Sequence, residues 1–109
     1  MSKEKTPTLG DVLANPVHPG RDVRLFLPAT EVWSLSVPAL VVCFDDIDED
    51  AEDVERRTGF QYALLLSTVQ DNIRNATQQL RSPTREELLR AFLFYHDRDA
   101  FIDFNNSPE

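Results

Sequence analysis

Glycine is scarce in this chain of 109 residues, and its three copies lie far apart. Gly10, Gly20 and Gly59 are separated by ten residues or more, so no two of them share one loop. Dinucleotide and phosphate loops need closely spaced glycines, and the nucleophile elbow of hydrolases needs two glycines around a serine. The sequence therefore lacks these common cofactor-binding and catalytic motifs.

Cysteine, histidine and lysine are also rare. The single cysteine, Cys43, cannot form an internal disulfide, and its apolar surroundings favour core packing over nucleophilic chemistry. His18 and His96 are too far apart in the sequence for a local zinc motif. The only lysines, Lys3 and Lys5, lie in a polar N-terminal tail without an apolar leader segment. We expect no cofactor.

Three carboxylates follow His96 near the end of the last predicted helix, at Asp97, Asp99 and Asp103. Histidine and carboxylates bind divalent metals, but hard-ligand sites of this kind have no specific spacing. A protonated histidine is stabilised at a helix C-terminus by the helix dipole, which is a sufficient structural role. We therefore expect no metal site at His96.

Long apolar runs are missing as well. The longest, Pro38–Phe44, is far shorter than the ~20 residues that span a bilayer. Leu, Ile, Val and Phe together still contribute 32 residues, enough for one modest core. We expect one cytoplasmic domain over residues 8–104, with a disordered tail at 1–7 and a frayed tail at 105–109.

Negative charge is concentrated in one segment. The net charge of −8 comes from 19 acidic and 11 basic side chains. Eight acids and no base lie between residues 45 and 55, so 11 acids and 11 bases remain outside it. This acidic segment comprises Asp45, Asp46, Asp48, Glu49, Asp50, Glu52, Asp53 and Glu55.

A calcium loop is one interpretation of the acidic segment. Asp46, Asp48 and Asp50 match the first three ligand positions of an EF-hand. Ala51 then stands where the turn needs glycine, and Arg57 stands where the loop needs a bidentate glutamate. The arginine argues against specific calcium binding.

A surface helix is the second interpretation. Acids crowd its start, Arg56 and Arg57 lie at its end, and Gly59 follows, which suits the helix dipole and a glycine C-cap. The expected i,i+4 ion pairs are Glu52–Arg56 and Asp53–Arg57.

A docking surface for a basic protein is the third interpretation, and it is compatible with a helix. Concentrated negative charge accelerates the approach of a positive partner and disfavours nucleic acid. Trp33, the only tryptophan, joins the expected interface because tryptophan is enriched in binding hot spots. The predicted partner-binding residues are Asp45, Asp46, Asp48, Glu49, Asp50, Glu52, Asp53 and Trp33.

Strand patterns dominate the first half of the chain. Alternating apolar residues predict strands over Val23–Leu27 and Trp33–Val37, and Pro38 interrupts the second. The continuously apolar residues 39–44 predict a central strand, and residues 60–66 predict another. The intervening segment is long enough for a crossover that makes these last two strands parallel.

Helix signals dominate the second half. Thr8 predicts the N-cap of a short first helix, and two longer helices are predicted after a capping box from Ser67 to Gln70 and after Ser82-Pro83. The fold class is α+β: a three- or four-stranded sheet with two longer helices packed on one face and a short acidic surface helix.

An ordered series of features runs along residues 8–104. It consists of Trp33, Pro38-Ala39-Leu40-Val41-Val42, the acidic segment, Gly59-Phe60, Val69-Gln70-Asp71, Ala91-Phe92 and Asp99-Ala100-Phe101-Ile102. This series resembles a family of small uncharacterised bacterial proteins, found among mobile gene-cassette products and immunity-like proteins. The resemblance implies a bacterial accessory protein and transfers no functional residue.

The sequence favours a non-enzymatic protein-interaction module, of adaptor or immunity type, that binds a basic protein and neither nucleic acid nor membrane. The alternative is a small-molecule-binding or hydrolytic domain with a pocket lined by Trp33, Tyr62, Tyr95 and His96. We also expect weak homodimerisation through the predicted edge strand that carries Trp33.

Overall fold

A computed structural model describes residues 7–18, 20–45 and 47–104. The chain is α+β, as the sequence predicts, with three strands and four helices in the described residues. In chain order the elements are α1 (Leu9–Ala14), β1 (Val23–Pro28), β2 (Leu40–Cys43), α2 (Ala51–Thr58), β3 (Phe60–Leu65), α3 (Leu66–Gln79) and α4 (Arg85–Arg98). The predicted tails at 1–7 and 105–109 lie outside the described residues, except for Pro7.

The sheet has the strand order β2-β1-β3, and both outer strands are antiparallel to β1. Therefore β2 and β3 run in the same direction, as predicted, but β1 lies between them. The prediction that residues 39–44 form a central strand is wrong, because β2 is an edge strand. Val41 and Cys43 pack on the main core, and all four residues of β2 are half-buried.

The side chains of β1 alternate between the two faces of the sheet. Val23, Leu25 and Leu27 belong to the main core and face α1, α3 and α4, which confirms the predicted alternation. Arg24 and Phe26 lie on the opposite, outer face, where α2 packs against β3. Within the described residues, α1, α3 and α4 contribute side chains to the main core and α2 contributes none.

The segment around Trp33 is not a strand, so that prediction is wrong. Its backbone pairs instead with the start of α1: the Leu9 N–H donates to the Val37 carbonyl, and the Gly10 N–H donates to the Leu35 carbonyl, each at 2.9 Å. The alternation arises because Trp33, Leu35 and Val37 pack on the core. The homodimer stays a prediction, but the segment around Trp33 is not the edge strand through which it was expected to form.

Capping explains where the helices begin. Thr8 caps α1 as predicted, in a reciprocal capping box with Asp11. The Ser67 prediction is wrong, because α3 begins at Leu66 directly after β3 and has no side-chain cap. The Ser82 prediction is also wrong: Thr84 is the N-cap of α4, and Glu87 completes its capping box.

Candidate functional site

The acidic segment folds into a loop and α2, as the surface-helix interpretation predicts. The Asp50 carboxylate accepts a hydrogen bond from the Asp53 N–H at 2.9 Å, and the Asp53 carboxylate accepts one from the Asp50 N–H at 3.1 Å. At the other end, Gly59 adopts the left-handed conformation with φ of 79°. Reciprocal capping and this glycine fix the two ends of α2.

Two ion pairs brace α2. Arg57 donates two hydrogen bonds to the Glu49 carboxylate, at 2.8 and 2.7 Å, and these raise the pKa of Arg57. Arg56 contacts the Asp53 carboxylate at 3.3 Å. The predicted pairs Glu52–Arg56 and Asp53–Arg57 are wrong. Arg56 pairs with Asp53 instead, and Arg57 makes a two-point bond to Glu49 in the loop before the helix.

Asp45 ties the acidic segment to the turn before β1. Its carboxylate accepts hydrogen bonds from the backbone N–H groups of Arg21 at 2.9 Å and Asp22 at 2.8 Å. These two bonds hold the pKa of Asp45 below its ordinary value. The first residue of the segment is therefore a structural anchor.

Asp45→Ala is expected to lower the melting temperature by a few degrees at pH 7, and by progressively less below about pH 4. Because folding lowers the pKa of Asp45, its ionised form stabilises the native state above the unfolded pKa of ~3.9. That stabilisation is lost as the pH falls through the folded pKa. Thermal melts of both proteins from pH 7 to pH 3 measure the difference, and a gap independent of pH contradicts this assignment.

A cluster of rings and one guanidinium lies on the outer face of the sheet beside α2. This outer-face cluster comprises Arg24, Phe26, Phe44 and Tyr62. The Arg24 guanidinium lies 4.6 Å from the centre of the Phe44 ring, and Phe26 contacts Phe44 and Tyr62 at centroid distances of 6.1 and 5.9 Å. Phe26 is fully buried, whereas Tyr62 is 36% exposed. The cluster thus has a buried base and an accessible rim.

Asp22 orients the arginine of this cluster. Its carboxylate accepts two hydrogen bonds from Arg24, at 2.9 and 3.0 Å, which lower the pKa of Asp22 and raise that of Arg24. Burial raises the pKa of Tyr62, and the neighbouring Arg24 charge partly opposes that rise. The cluster is therefore held in one arrangement by contacts within the chain.

Asp48 and Glu52 differ from their acidic neighbours. Both are exposed, and neither has a hydrogen-bond or ion-pair partner among the described residues. Ile47, next to Asp48, is exposed as well. Asp46 lies outside the described residues. Among the described acids of the segment, Asp48 and Glu52 are therefore the ones whose charge is not used in a contact.

The four residues of the predicted alternative pocket do not converge. Trp33 contacts His96 edge-on at a centroid distance of 4.7 Å and donates from its indole N–H to the Pro28 carbonyl at 2.9 Å. Tyr95 packs on Phe101, while Tyr62 belongs to the outer-face cluster. The Trp33 ring packs against α4 rather than against the acidic segment.

One cavity of about 190 Å³ lies beside α1 and has a mainly apolar wall. Its lining residues are Pro7, Asp11, Val12, Asn15, Pro16, Val17, His18, Val41 and Leu66. A shallower depression lies on α3 near Phe101. Neither contains a residue of the predicted pocket. In the described part of the chain, no group of three or more His, Cys, Asp or Glu side chains has a metal-binding arrangement.

The comparison with known protein families gives one match. A domain of unknown function, DUF7716, matches residues 6–104, which is most of the chain. The chain belongs to the DUF7716 family. No curated protein and no solved structure matches it. This DUF7716 protein has, within its described residues, no helix with the length and apolar character needed to cross a membrane.

The sequence did not identify Arg24, Phe26 and Phe44 as candidate site residues. Their signal was nevertheless present, because Arg24 and Phe26 alternate with the core residues of β1. Arg24 and Phe26 occupy the positions of β1 that face away from the main core. A phenylalanine at such a position indicates that other residues partly bury the outer face of the sheet. In this DUF7716 protein, that face adjoins the acidic segment.

Proposed function

We propose that this DUF7716 protein is a non-enzymatic interaction module that binds a basic protein through its acidic segment and the adjoining outer-face cluster. The observation that carries the proposal is the juxtaposition of these two surfaces. Phe44 directly precedes Asp45, and the Glu55 carboxylate of α2 accepts a hydrogen bond from the Tyr62 N–H at 2.8 Å. The acidic segment, which attracts a basic partner in this proposal, thus adjoins the outer-face cluster, which supplies aromatic contact area.

The composition of this surface supports protein binding. Aromatic residues and arginine are enriched in protein interfaces, and the buried Phe26 ring beside the partly exposed Tyr62 ring suits a contact centre. The surrounding acids suit a basic partner, because complementary charge accelerates association. Resemblance to gene-cassette and immunity-like proteins favours a bacterial cytoplasmic accessory protein of adaptor or immunity type.

The test removes free charge without disturbing the helix. The double variant Asp48→Asn/Glu52→Gln removes two exposed acids that have no partner in the described residues. Glu86→Gln/Asp99→Asn is its matched control, since it removes two charges at the ends of α4, which packs against α1 and α3. Affinity capture with the chain as bait identifies a partner, and stopped-flow mixing then measures association rates.

The Asp48→Asn/Glu52→Gln variant is expected to associate at least threefold more slowly in about 10 mM salt, with the difference shrinking near 0.5 M salt. The control variant is expected to associate at nearly the native rate. Thermal stability of both variants is expected to change little, because exposed charges contribute about 0–1 kcal/mol each. An acidic partner, or an unchanged association rate at low salt, contradicts the proposal.

A further inference from the structure

Residues 101–104, which follow α4, form a segment that packs back onto the molecule. Their exposure alternates: Phe101 is 45% exposed, whereas Ile102 is 3% exposed and belongs to the main core. Phe104 also packs on the core, and the Arg90 guanidinium of α4 lies 5.6 Å from the centre of its ring. This segment is called the C-terminal strap below.

Gln79 of α3 holds the backbone of the C-terminal strap. Its side-chain amide donates to the Ile102 carbonyl at 2.7 Å and accepts from the Phe104 N–H at 2.9 Å, which is how a neighbouring strand binds an extended chain. The same amide donates to the Asn75 side-chain oxygen at 2.7 Å, which fixes its orientation. The residues that hold the strap are called the strap groove: Asn75 and Gln79 of α3, and Arg90 and Tyr95 of α4.

The turn between α4 and the strap depends on a strained residue. Asp99 adopts the left-handed conformation with φ of 59°, and its N–H donates to the Tyr95 carbonyl at 2.7 Å. In the described part of the chain it is the one residue other than glycine with positive φ. The Cβ atom makes this conformation costly for L-residues, so glycine usually occupies it at helix ends, as Gly59 does after α2. The turn therefore holds free energy that is released when Asp99 leaves this conformation.

The sequence allows a second conformation of this turn. No glycine or proline lies between residues 85 and 104, and Ala100, which follows Asp99, is the residue type with the highest helix propensity. With Asp99 in the right-handed conformation, α4 continues along its own axis and carries the strap away from its own α3. Ile102 then needs another apolar site, because its exposure to water is unfavourable.

We propose that two copies of the chain exchange C-terminal straps, so that the strap of each copy fills the strap groove of the other. The occupant is argued from the structure, since residues 101–104 fit this groove and a second copy carries the same segment. The exchange retains the contacts of Gln79 and Ile102 and relieves the strain at Asp99. A two-fold axis fills both grooves at once, so the assembly closes at a dimer. The inference is independent of the acidic segment and of the outer-face cluster.

Light scattering and isotope-filtered NMR on the full chain measure the exchange. A tethered segment has an effective concentration in the millimolar range, so the dimer is expected to be minor at ~20 µM protein and substantial at ~1 mM. In a sample refolded from ¹³C-labelled and unlabelled chains, the Ile102 methyl groups of one copy are expected to contact α3 of the other copy near Gln79. A monomeric mass at ~1 mM, or a dimer without these contacts between copies, overturns the proposal.

Substitutions at Asp99 change the strain and leave the strap groove intact. Asp99→Ala makes the left-handed turn more costly and is expected to lower the dissociation constant of the dimer about fivefold or more. Asp99→Gly removes the cost and is expected to raise that constant about fivefold or more. Asp99→Asn is the matched control for charge, because asparagine tolerates this conformation as aspartate does, and it is expected to change the constant less than about twofold.

Two results with these variants contradict the exchange. Equal dissociation constants for Asp99→Ala and Asp99→Gly overturn it, because the strain at Asp99 then has no part in dimerisation. Faster hydrogen exchange of the Phe104 amide in Asp99→Ala, without more dimer, also overturns it, because the strap then leaves its groove and does not enter that of a second copy.

Discussion

Phe26→Ala is expected to lower the free energy of unfolding by about 3–5 kcal/mol, the usual cost of removing a buried phenylalanine. The Phe26 side chain is fully buried and contacts both Phe44 and Tyr62. Phe26 does not belong to the main core cluster, so within the described residues few other apolar groups are able to fill the space that the ring leaves. In a chain of this size the melting temperature is expected to fall by more than about 12 °C.

Denaturant titration followed by circular dichroism measures this loss. Phe101→Ala is the matched control, because its ring is 45% exposed and packs on Tyr95. The control is expected to lose less than about 1 kcal/mol, since much of its apolar area already contacts water. A loss below about 1 kcal/mol for Phe26→Ala itself means that the outer face repacks, and that Phe26 does not form the base of the cluster.

Gly20→Ala is expected to cost about 1–3 kcal/mol by overpacking. A Cβ atom at position 20 overlaps the Cys43 sulfur and lies 3.0 Å from the Val23 Cγ2 and 3.3 Å from an Asp45 carboxylate oxygen. The turn before β1 is bonded to Asp45, so it cannot move away without breaking those hydrogen bonds.

A double-mutant cycle with Cys43→Ala tests this account. Removing the sulfur makes room for the added methyl group, so the two substitutions together are expected to cost about 1 kcal/mol less than their sum. Gly59→Ala is the control. It meets no atom within 4 Å but has φ of 79°, so it is expected to lose about 1 kcal/mol through backbone strain that Cys43→Ala does not relieve. Additive costs for Gly20→Ala and Cys43→Ala refute the steric explanation.

Local signals in the sequence predicted the parts of the fold that depend on neighbouring residues. Thr8 lies three residues from Asp11, its capping partner, and Gly59 ends α2 by its own backbone conformation. The alternation of core and outer-face residues in β1 is likewise local, because successive side chains of a strand point to opposite faces of the sheet. The Trp33 segment was mistaken for a strand because its hydrogen-bond partners lie in α1, about 25 residues away, which no local pattern encodes.

The candidate site was partly predictable for the same reason. The acidic segment was predictable from composition, and α2 from the match between the charges at its ends and the helix dipole. Both features depend on consecutive residues. The outer-face cluster could not be predicted because it brings together Arg24 of β1, Tyr62 of β3 and Phe44 just after β2, and no local pattern gives the order of these strands in the sheet. Likewise, Glu49 rather than Asp53 is the partner of Arg57, because the loop before α2 folds back along the helix.

Pro7 is held against Ala39, and this has a consequence for how binding is measured. The only lysines, Lys3 and Lys5, precede Pro7, so amine-reactive chemistry attaches the chain to a sensor surface through this end alone. Pro7, the described residue nearest to that end, lies beside β2, because its carbonyl accepts a hydrogen bond from the Ala39 N–H at 2.8 Å. A difference in signal between this attachment and one through a C-terminal tag therefore reports whether a partner approaches the side of the molecule that carries Pro7.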